Sequence, residues 1–217
     1  MKPIIGIIAR NETLQSGNKI LYSYKEIVKK IKESNGIPIG INILNKTDLN
    51  TIELIDGIIL QGGDTYIEEE IDLTKLAYKK NIPLLGICQG MQIMGIATSG
   101  EIIETKNHMK KDIDNVHEVI IKKDSKIYEI LKKEKIQTNS RHNYKIINTT
   151  LDIVGSAPDN VIEVIEDKTK SFFIGVEWHP ESLNNEDSKK IFDYFVKKAS
   201  EYSDSKRNNK NNTWKNN

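Results

Sequence analysis

The sequence predicts an α/β fold, with an open, mostly parallel sheet that carries helices on both faces and an added antiparallel β portion in the C-terminal half. Two observations lead to this prediction. In the first half of the chain, apolar segments of strand length alternate with helical segments, which is the pattern of a parallel sheet. After Gly100 the β-like segments become shorter and follow one another as hairpins do.

The first half repeats a strand and then a helix. Strands are predicted at residues 4–9, 37–43, 56–60 and 82–87, and helices at 22–34, 48–54, 68–80 and directly after Cys88. Asn35-Gly36 is a stop signal for the first of these helices. The polar connection at residues 10–20 is long enough to cover a site at the strand ends. Because ligands bind at the carboxyl ends of such strands, residues that directly follow a strand are the first candidates for a site.

The second half predicts short strands, a final helix and a tail. The strands are expected at residues 116–122, 145–147, 152–156, 161–166 and 172–176, with one hairpin turned by Pro158-Asp159-Asn160. An apolar stripe predicts the final helix at residues 187–202. The polar, Asn-rich segment 203–217 is predicted to be disordered, which leaves residues 1–202 as a single domain.

Composition excludes several classes of protein. The chain has 217 residues, a net charge of +1 and one cysteine, so it has no intramolecular disulfide framework. A net charge this close to zero argues against a nucleic acid partner. No apolar run is long enough to span a membrane. The sequence therefore predicts a cytoplasmic protein.

The single cysteine lies where a predicted buried strand turns into a helix. Gly86 and Gly90 flank Cys88, and a tight strand-to-helix turn needs such residues because side chains would collide with the neighbouring backbone. This is the layout of a nucleophile elbow, in which the helix N-terminus favours a thiolate by position alone. The competing interpretation is a small buried core residue, the commonest role of a free cysteine.

A histidine and a carboxylate complete the candidate site. The apolar segment 172–178 ends in His179 and, two residues later, Glu181. Successive side chains of an extended backbone point to opposite faces, so His179 and Glu181 lie on the same face. Pro180 between them restrains the backbone. A histidine can exchange a proton with the Cys88 thiol, and a carboxylate on its far nitrogen fixes the tautomer.

Three motifs in this order resemble the class I glutamine amidotransferase superfamily, most closely its γ-glutamyl-γ-aminobutyrate hydrolases. They are Ile-Leu-Gln-Gly-Gly-Asp at 59–64, Gly-Ile-Cys-Gln-Gly-Met-Gln at 86–92 and Gly-Val-Glu-Trp-His-Pro-Glu at 175–181. The resemblance implies a flavodoxin-like sheet, with Cys88 as nucleophile, His179 as acid and base and Glu181 as the residue that orients it.

The resemblance also implies an oxyanion hole and a substrate site. The two oxyanion donors are the backbone N–H of Gln89 and that of Gly62 or Gly63. Gln92 matches a residue that contacts the glutamyl portion of the substrate in many relatives, against the alternative of an ordinary polar helix residue.

The segment at 138–144 matches a region that lies beside the substrate in γ-glutamyl hydrolases. The residues implied to bind substrate there are Asn139, Ser140, Arg141 and His142. Asn143 and Tyr144 stand where the relatives carry a second histidine and a glutamine. This departure leaves the identity of the released amine open.

These observations predict a hydrolase that cleaves a small-molecule γ-glutamyl amide through a thioester, without a metal or an organic cofactor. The first alternative is a glutaminase subunit that delivers ammonia to a synthetase partner. The second, from another class, is a redox or stress protein that uses a cysteine elbow on a similar sheet. A purely binding protein is disfavoured because all three catalytic residue types are present.

Overall fold

The structure, a computed structural model, describes residues 1–215, with side chains described for residues 1–208. It has the predicted α/β fold, in which a nine-stranded sheet carries helices on both faces. The strands are β1 (Ile4–Ile8), β2 (Arg10–Thr13), β3 (Lys19–Tyr22), β4 (Ile37–Ile41), β5 (Gly57–Leu60), β6 (Leu84–Ile87), β7 (Glu101–Glu104), β8 (Met109–Lys110), β9 (His117–Ile121), β10 (Lys135–Thr138), β11 (Ser140–Arg141), β12 (Tyr144–Ile147), β13 (Asp152–Ser156), β14 (Ile162–Glu166) and β15 (Phe173–Val176). The helices are α1 (Lys25–Glu33), α2 (Glu68–Lys80), α3 (Gln89–Ala97), α4 (Lys126–Leu131) and α5 (Glu186–Lys215), and short 3-10 helices cover Lys46–Leu54 and Pro180–Ser182.

Five neighbouring strands form the parallel half of the sheet, in the order β4-β1-β5-β6-β15. Every residue of β5, β6 and β15 is buried. Because helices cover both faces, these strands show continuous apolar runs instead of an alternation of apolar and polar residues. The predictions for β1, β4, β5 and β6 are confirmed to within two residues at each end.

The other half of the sheet is antiparallel and continues from β15 in the order β14-β13-β9-β10. The predicted turn at Pro158-Asp159-Asn160 joins β13 to β14: Asn160 has φ of 65°, and the Ala157 N–H donates to the Val161 carbonyl at 2.9 Å. One expectation is corrected here. β15 is antiparallel to β14 but parallel to β6, because the chain returns to the centre of the sheet after the antiparallel segment.

Two apolar layers cover the faces of the sheet. One contains α1, α4 and α5, and the other contains α2 and α3. The predicted apolar stripe of α5 is buried, namely Ile191, Phe192, Phe195 and Val196. None of the helices in the part of the chain that the structure describes is both long and apolar enough to cross a membrane.

Some local elements differ from the predictions. The segment 10–20, predicted as a polar loop, is largely an antiparallel hairpin of β2 and β3 in which Arg10 pairs with Tyr22. The helix predicted at 48–54 is a 3-10 helix, Lys46–Leu54, whose N-terminus is capped by the Asn45 side chain. Helix α4 and the strands β7, β8, β10 and β11 were not predicted, because their short segments carry no sustained apolar period.

The C-terminal segment 203–217, predicted to be disordered, is helical as far as Lys215, so that prediction is wrong for this part. Polar residues at the start of this segment gain partners. Ser203 is 1% exposed, and the Lys206 ammonium donates to the carbonyl oxygens of Glu53 and Ile55 at 2.6 and 3.1 Å. Residues 216–217 lie outside the described part of the chain.

Candidate active site

The candidate catalytic residues meet at the carboxyl edge of the parallel half of the sheet. Cys88 follows β6, the Gly62 turn follows β5 and His179 follows β15, and these three strands are neighbours. A cavity of about 1030 Å³ opens above this edge, and Cys88, His179 and Glu181 contribute to its wall. The fold therefore brings together residues that lie far apart in the sequence.

Cys88 occupies a strained strand-to-helix turn, as the nucleophile elbow requires. Its φ is 51° and its ψ is −111°, a conformation that costs a non-glycine residue about 1–3 kcal/mol. The flanking glycines are needed for space. A Cβ on Gly90 would lie 1.9 Å from the Leu60 carbonyl oxygen, and one on Gly86 would lie 2.5 Å from the Met94 sulfur. The turn thus holds the thiol at the sheet edge.

His179 links the thiol to a carboxylate. Its Nδ1 lies 2.7 Å from Glu181 Oε1, and its ring lies close enough to the Cys88 thiol for each group to shift the pKa of the other. Pro180 begins a 3-10 turn that carries Glu181 back beneath the ring. The three residues that the sequence singled out therefore lie side by side, in the arrangement of a nucleophile, a base and an orienting carboxylate.

The ionisation of these three residues depends on the histidine. Burial raises the pKa of the Cys88 thiol, and the His179 ring and the Gln89 backbone N–H oppose that rise. Burial also disfavours a charged His179, but the Glu181 carboxylate and the Cys88 sulfur outweigh it and hold the pKa of His179 well above its ordinary value. The expectation that position alone favours the thiolate is therefore corrected, since ionisation of this buried thiol requires the neighbouring ring.

Asn139 fixes the segment that carries the histidine. Its side-chain oxygen accepts the His179 backbone N–H at 2.8 Å, and its amide nitrogen donates to the His179 carbonyl at 3.0 Å and to the Ser182 hydroxyl at 3.1 Å. Asn139 is fully buried. It therefore clamps the backbone of the candidate base, whereas the sequence predicted that it contacts substrate.

Arg10 is a buried residue of the site that the sequence reasoning missed. Its Nε lies 3.1 Å from the Gln61 carbonyl and 3.2 Å from the Gly62 carbonyl, and its Nη1 pairs with the buried Glu70. These contacts fix the orientation of the peptide units in the glycine turn, which carries a candidate oxyanion donor. A polar residue directly after a predicted strand was the available signal, but its partner is 60 residues away in the sequence.

The oxyanion candidates lie around the thiol. A Cβ on Gly62 would lie 2.8 Å from His179 Cε1 and 3.7 Å from Cys88 Cβ, so this glycine packs directly against the catalytic pair. Gly63 contributes to the cavity wall. The Gln89 backbone N–H contacts the sulfur. This arrangement can direct backbone donors at an oxygen that forms beside Cys88, which is the requirement of an oxyanion hole.

The remaining predicted substrate-binding residues divide into two groups. Arg141 lines the cavity, and its Nη1 donates to the Ser182 hydroxyl at 3.1 Å. Gln92, Ser140 and His142 are buried outside the cavity wall: Gln92 donates to the Glu177 carboxylate, and Ser140 donates to the His108 carbonyl at 2.7 Å. Direct substrate contact by these three residues stays a prediction.

Fold and site together define a class of protein, a C–N hydrolase of the glutamine amidotransferase type. The chain belongs to the Peptidase C26 family, whose model matches residues 3–181. This match covers every candidate catalytic residue and confirms the superfamily that the motifs predicted. The closer resemblance to γ-glutamyl-γ-aminobutyrate hydrolases stays a prediction.

The chain is also similar to individual proteins and to solved structures. Protein NtpR of Enterococcus hirae is 28% identical over 90% of this chain and 99% of its own length. A CTP synthase of Christiangramia forsetii is 28% identical over 95% of this chain but 45% of its own length, so the chain spans about half of that protein. The solved structure of a Thermoplasma acidophilum protein, described as one component of a GMP synthase, superposes with a TM-score of 0.71 at 20% identity, covering 94% of this chain and 98% of that one. This last likeness confirms the fold.

Proposed function

We propose that this protein hydrolyses a γ-glutamyl amide through a γ-glutamyl thioester on Cys88 and releases glutamate and an amine. The observation that carries the proposal is the juxtaposition of Cys88, His179 and Glu181 in the wall of the cavity, with the His179 ring hydrogen-bonded to Glu181. Acyl transfer from an amide needs these three roles, and it needs neither a metal nor an organic cofactor for the bond changes. The free thiol suits the reducing cytoplasm.

The first half-reaction forms the thioester. Cys88 Sγ gives its proton to His179 Nε2 and attacks the γ-carbonyl carbon, and the carbonyl electrons move onto the oxygen. The Gln89 N–H and an N–H of the Gly62 turn stabilise that oxyanion, each contributing about 3 kcal/mol in comparable sites. When the tetrahedral intermediate collapses, the C–N bond breaks and His179 protonates the leaving nitrogen.

The second half-reaction regenerates the thiol. His179 removes a proton from water as the water oxygen attacks the thioester carbon. The C–S bond then breaks, glutamate leaves, and the proton returns from His179 to the sulfur. Glu181 holds the ring in one orientation through both half-reactions. Its carboxylate accepts a hydrogen bond from Nδ1, so Nε2 is the nitrogen that exchanges a proton with the sulfur.

The charge of the cavity supports an anionic substrate. Five cationic residues contribute to its wall, namely Lys25, Lys29, Lys30, Lys111 and Arg141, against three acidic residues, Glu26, Asp64 and Glu181. Glu181 is engaged by His179, Lys29 pairs with Glu33 and Arg141 pairs with Asp114, which leaves three cationic residues against two acidic ones. The remaining excess of positive charge suits the α-carboxylate of a glutamyl group and an anionic leaving portion.

The main alternative is a glutaminase that supplies ammonia to a synthetase. The likeness to a CTP synthase over 45% of that protein's length favours it, because such a region corresponds to one part of a larger synthase. The triad chemistry would be the same, and the acceptor of the amine nitrogen would differ. Glutaminase turnover that rises strongly when a second protein is added distinguishes this alternative from a free-standing hydrolase.

The redox alternative is less favoured by the geometry. Cys88 is 5% exposed and its pKa is raised by burial, whereas redox-sensing cysteines are accessible and have a low pKa. Rapid peroxide oxidation of Cys88 in a protein without amidase activity would support that alternative.

A panel of γ-glutamyl amides, with L-glutamine included, tests the proposal through glutamate release. Wild-type protein is expected to turn over at least one member, and Cys88→Ala and His179→Asn are expected to lose turnover by about 10⁴-fold or more. Glu186→Gln, on an exposed residue just beyond the site, is the matched control for Glu181→Gln. Unchanged thermal unfolding must accompany each loss, and full turnover by Cys88→Ala would reject the mechanism.

A further inference from the structure

Three of the four histidines converge on one buried glutamate that does not belong to the catalytic triad. We name this group the three-histidine cluster, and it consists of His108, His117, His142 and Glu163. His117 begins β9, Glu163 lies on β14, and the other two histidines flank the paired strands β8 and β11. We propose that the three-histidine cluster binds a divalent transition metal, foremost Zn²⁺, as a structural site.

The spacing of the donor atoms fits a tetrahedral ion. Glu163 Oε1 lies 3.4 Å from His117 Nε2 and 3.7 Å from both His108 Nδ1 and His142 Nε2. The last two nitrogens are 3.1 Å apart. Tetrahedral Zn²⁺ with bonds of about 2.0–2.1 Å separates its ligand atoms by roughly 3.3 Å. Donor atoms of His108, His117 and Glu163 all lie within 4.8 Å of one another, so these three side chains are near enough to share one ion.

The outer nitrogen of each ring is already committed to an oxygen acceptor. His108 Nε2 lies 3.0 Å from Asp159 Oδ2, and His142 Nδ1 lies 2.8 Å from the Tyr144 carbonyl. His117 Nδ1 lies 3.3 Å from the carbonyl of the next residue. Because each acceptor requires a proton on that outer nitrogen, the inner nitrogens of neutral rings present lone pairs to Glu163. Metal-binding histidines are held in this way.

Three of the inner atoms have no hydrogen-bond partner among the described residues. Both carboxylate oxygens of Glu163 and the inner nitrogen of His117 form no hydrogen bond within the described structure, and Glu163 is fully buried. Ser140 Oγ faces His108 Nδ1 at 3.1 Å, but its proton is donated to the His108 carbonyl. Buried acceptors that face one another are destabilising. A single proton would satisfy one of these contacts, whereas one metal cation would be bound by all four side chains.

The position of the cluster gives the ion a structural role. It joins β9 and β14 to the β8–β11 pair, which carries two residues of the cavity wall, Met109 and Arg141. The Glu163 carbonyl accepts the backbone N–H of Glu177, two residues before His179. A metal here would therefore fix one wall of the cavity from behind, since none of the cluster residues lines the cavity itself. The inference does not rest on the proposed reaction.

Metal binding can be measured directly on the tag-free full-length chain. Elemental analysis after growth with zinc, and Co²⁺ titration of the chelator-treated protein, are run on wild type and on Glu163→Gln, His117→Asn and Asp159→Asn. The visible absorption of tetrahedral Co²⁺ reports the coordination geometry. Glu118→Gln, on a partly exposed neighbour, is the matched control, and Cys88→Ala controls for metal that binds at the thiol.

The expected result is about one metal ion per chain in wild type, Glu118→Gln and Cys88→Ala, with a tetrahedral Co²⁺ spectrum. Asp159→Asn should bind about 10–100-fold more weakly, and the two ligand variants at least that much more weakly. Wild type should also lose thermal stability on chelation and regain it with Zn²⁺. This change in thermal stability is measured on the wild type alone, so it does not depend on whether the variants fold. Substoichiometric metal in wild type, an unchanged unfolding temperature with Zn²⁺, or metal lost in Cys88→Ala but kept in the ligand variants would overturn the proposal.

Discussion

Replacing Gly62 by alanine tests the geometry of the catalytic pair with a single added methyl group. The new Cβ would lie 2.8 Å from His179 Cε1, whereas ordinary van der Waals contact begins at 3.4 Å. The ring or the glycine turn must therefore shift by about 0.6 Å, which exceeds the tolerance of about 0.5 Å for a productive catalytic arrangement. The residue itself adopts no left-handed conformation, so backbone strain does not contribute.

The expected effect is a loss of activity without a loss of fold. A misplacement of about 1 Å can reduce turnover by about 10²-fold, so a shift of this size should lower kcat by about 10- to 100-fold. This corresponds to about 1.4–2.7 kcal/mol of transition-state stabilisation. The assay is glutamate release from the best substrate of the γ-glutamyl panel, with thermal unfolding measured in parallel.

Gly40→Ala provides the matched control for this variant. It lies on β4, an edge strand of the same sheet, where the nearest atom to an added Cβ is the Ser23 hydroxyl oxygen at 3.7 Å. We expect this variant to keep full activity. Full activity in Gly62→Ala as well would refute the account, because the ring would then not depend on close packing against the glycine turn.

Three further predictions concern charged residues that support the site or the fold. Glu181→Gln removes the carboxylate that raises the pKa of His179, so that pKa should fall and the alkaline decline of kcat/KM should move to lower pH. Arg10→Met leaves the buried Glu70 unpaired and should lower the free energy of unfolding by about 3–5 kcal/mol in urea titration. Glu166→Ala leaves two backbone N–H groups at the start of α4 without their acceptor and should lower the free energy of unfolding by about 2 kcal/mol or more in the same titration.

Each of these predictions has a control and an outcome that contradicts it. For the pH profile the control is Glu186→Gln, and an alkaline decline that stays in place in Glu181→Gln would show that the carboxylate does not set the ionisation of the ring. For Arg10→Met, the added change Glu70→Gln should restore part of the lost stability. For Glu166→Ala, the substitution Glu166→Gln should retain part of the stability, since an amide oxygen still accepts a hydrogen bond. Equal losses in the two Glu166 variants would argue against the capping role.

The parts of the fold that were predictable from the sequence have local causes. The buried strands β1, β5 and β6 are continuous apolar runs, and α2 begins with acidic residues and ends with lysines. The elbow is visible because Gly86 and Gly90 flank the only cysteine and no larger residue fits at either position. The pairing of His179 with Glu181 follows from their separation of two residues.

The parts that were missed depend on contacts between distant segments. The β2–β3 hairpin is polar, and its first residue is buried through a pairing of Arg10 with Glu70 that has no local signal. The helix beyond residue 202 is anchored by a contact of Lys206 with a segment about 150 residues earlier in the chain. The three-histidine cluster is scattered between residues 108 and 163, and only the antiparallel register brings it together.

The central claim is that Cys88 carries a γ-glutamyl group during turnover. The most direct measurement is mass spectrometry of the protein after acid quenching during steady-state hydrolysis. We expect the peptide that contains Cys88 to gain the mass of one γ-glutamyl group, and we expect no adduct and no turnover in Cys88→Ala. Turnover without an adduct on Cys88, or undiminished turnover in Cys88→Ala, would contradict the account.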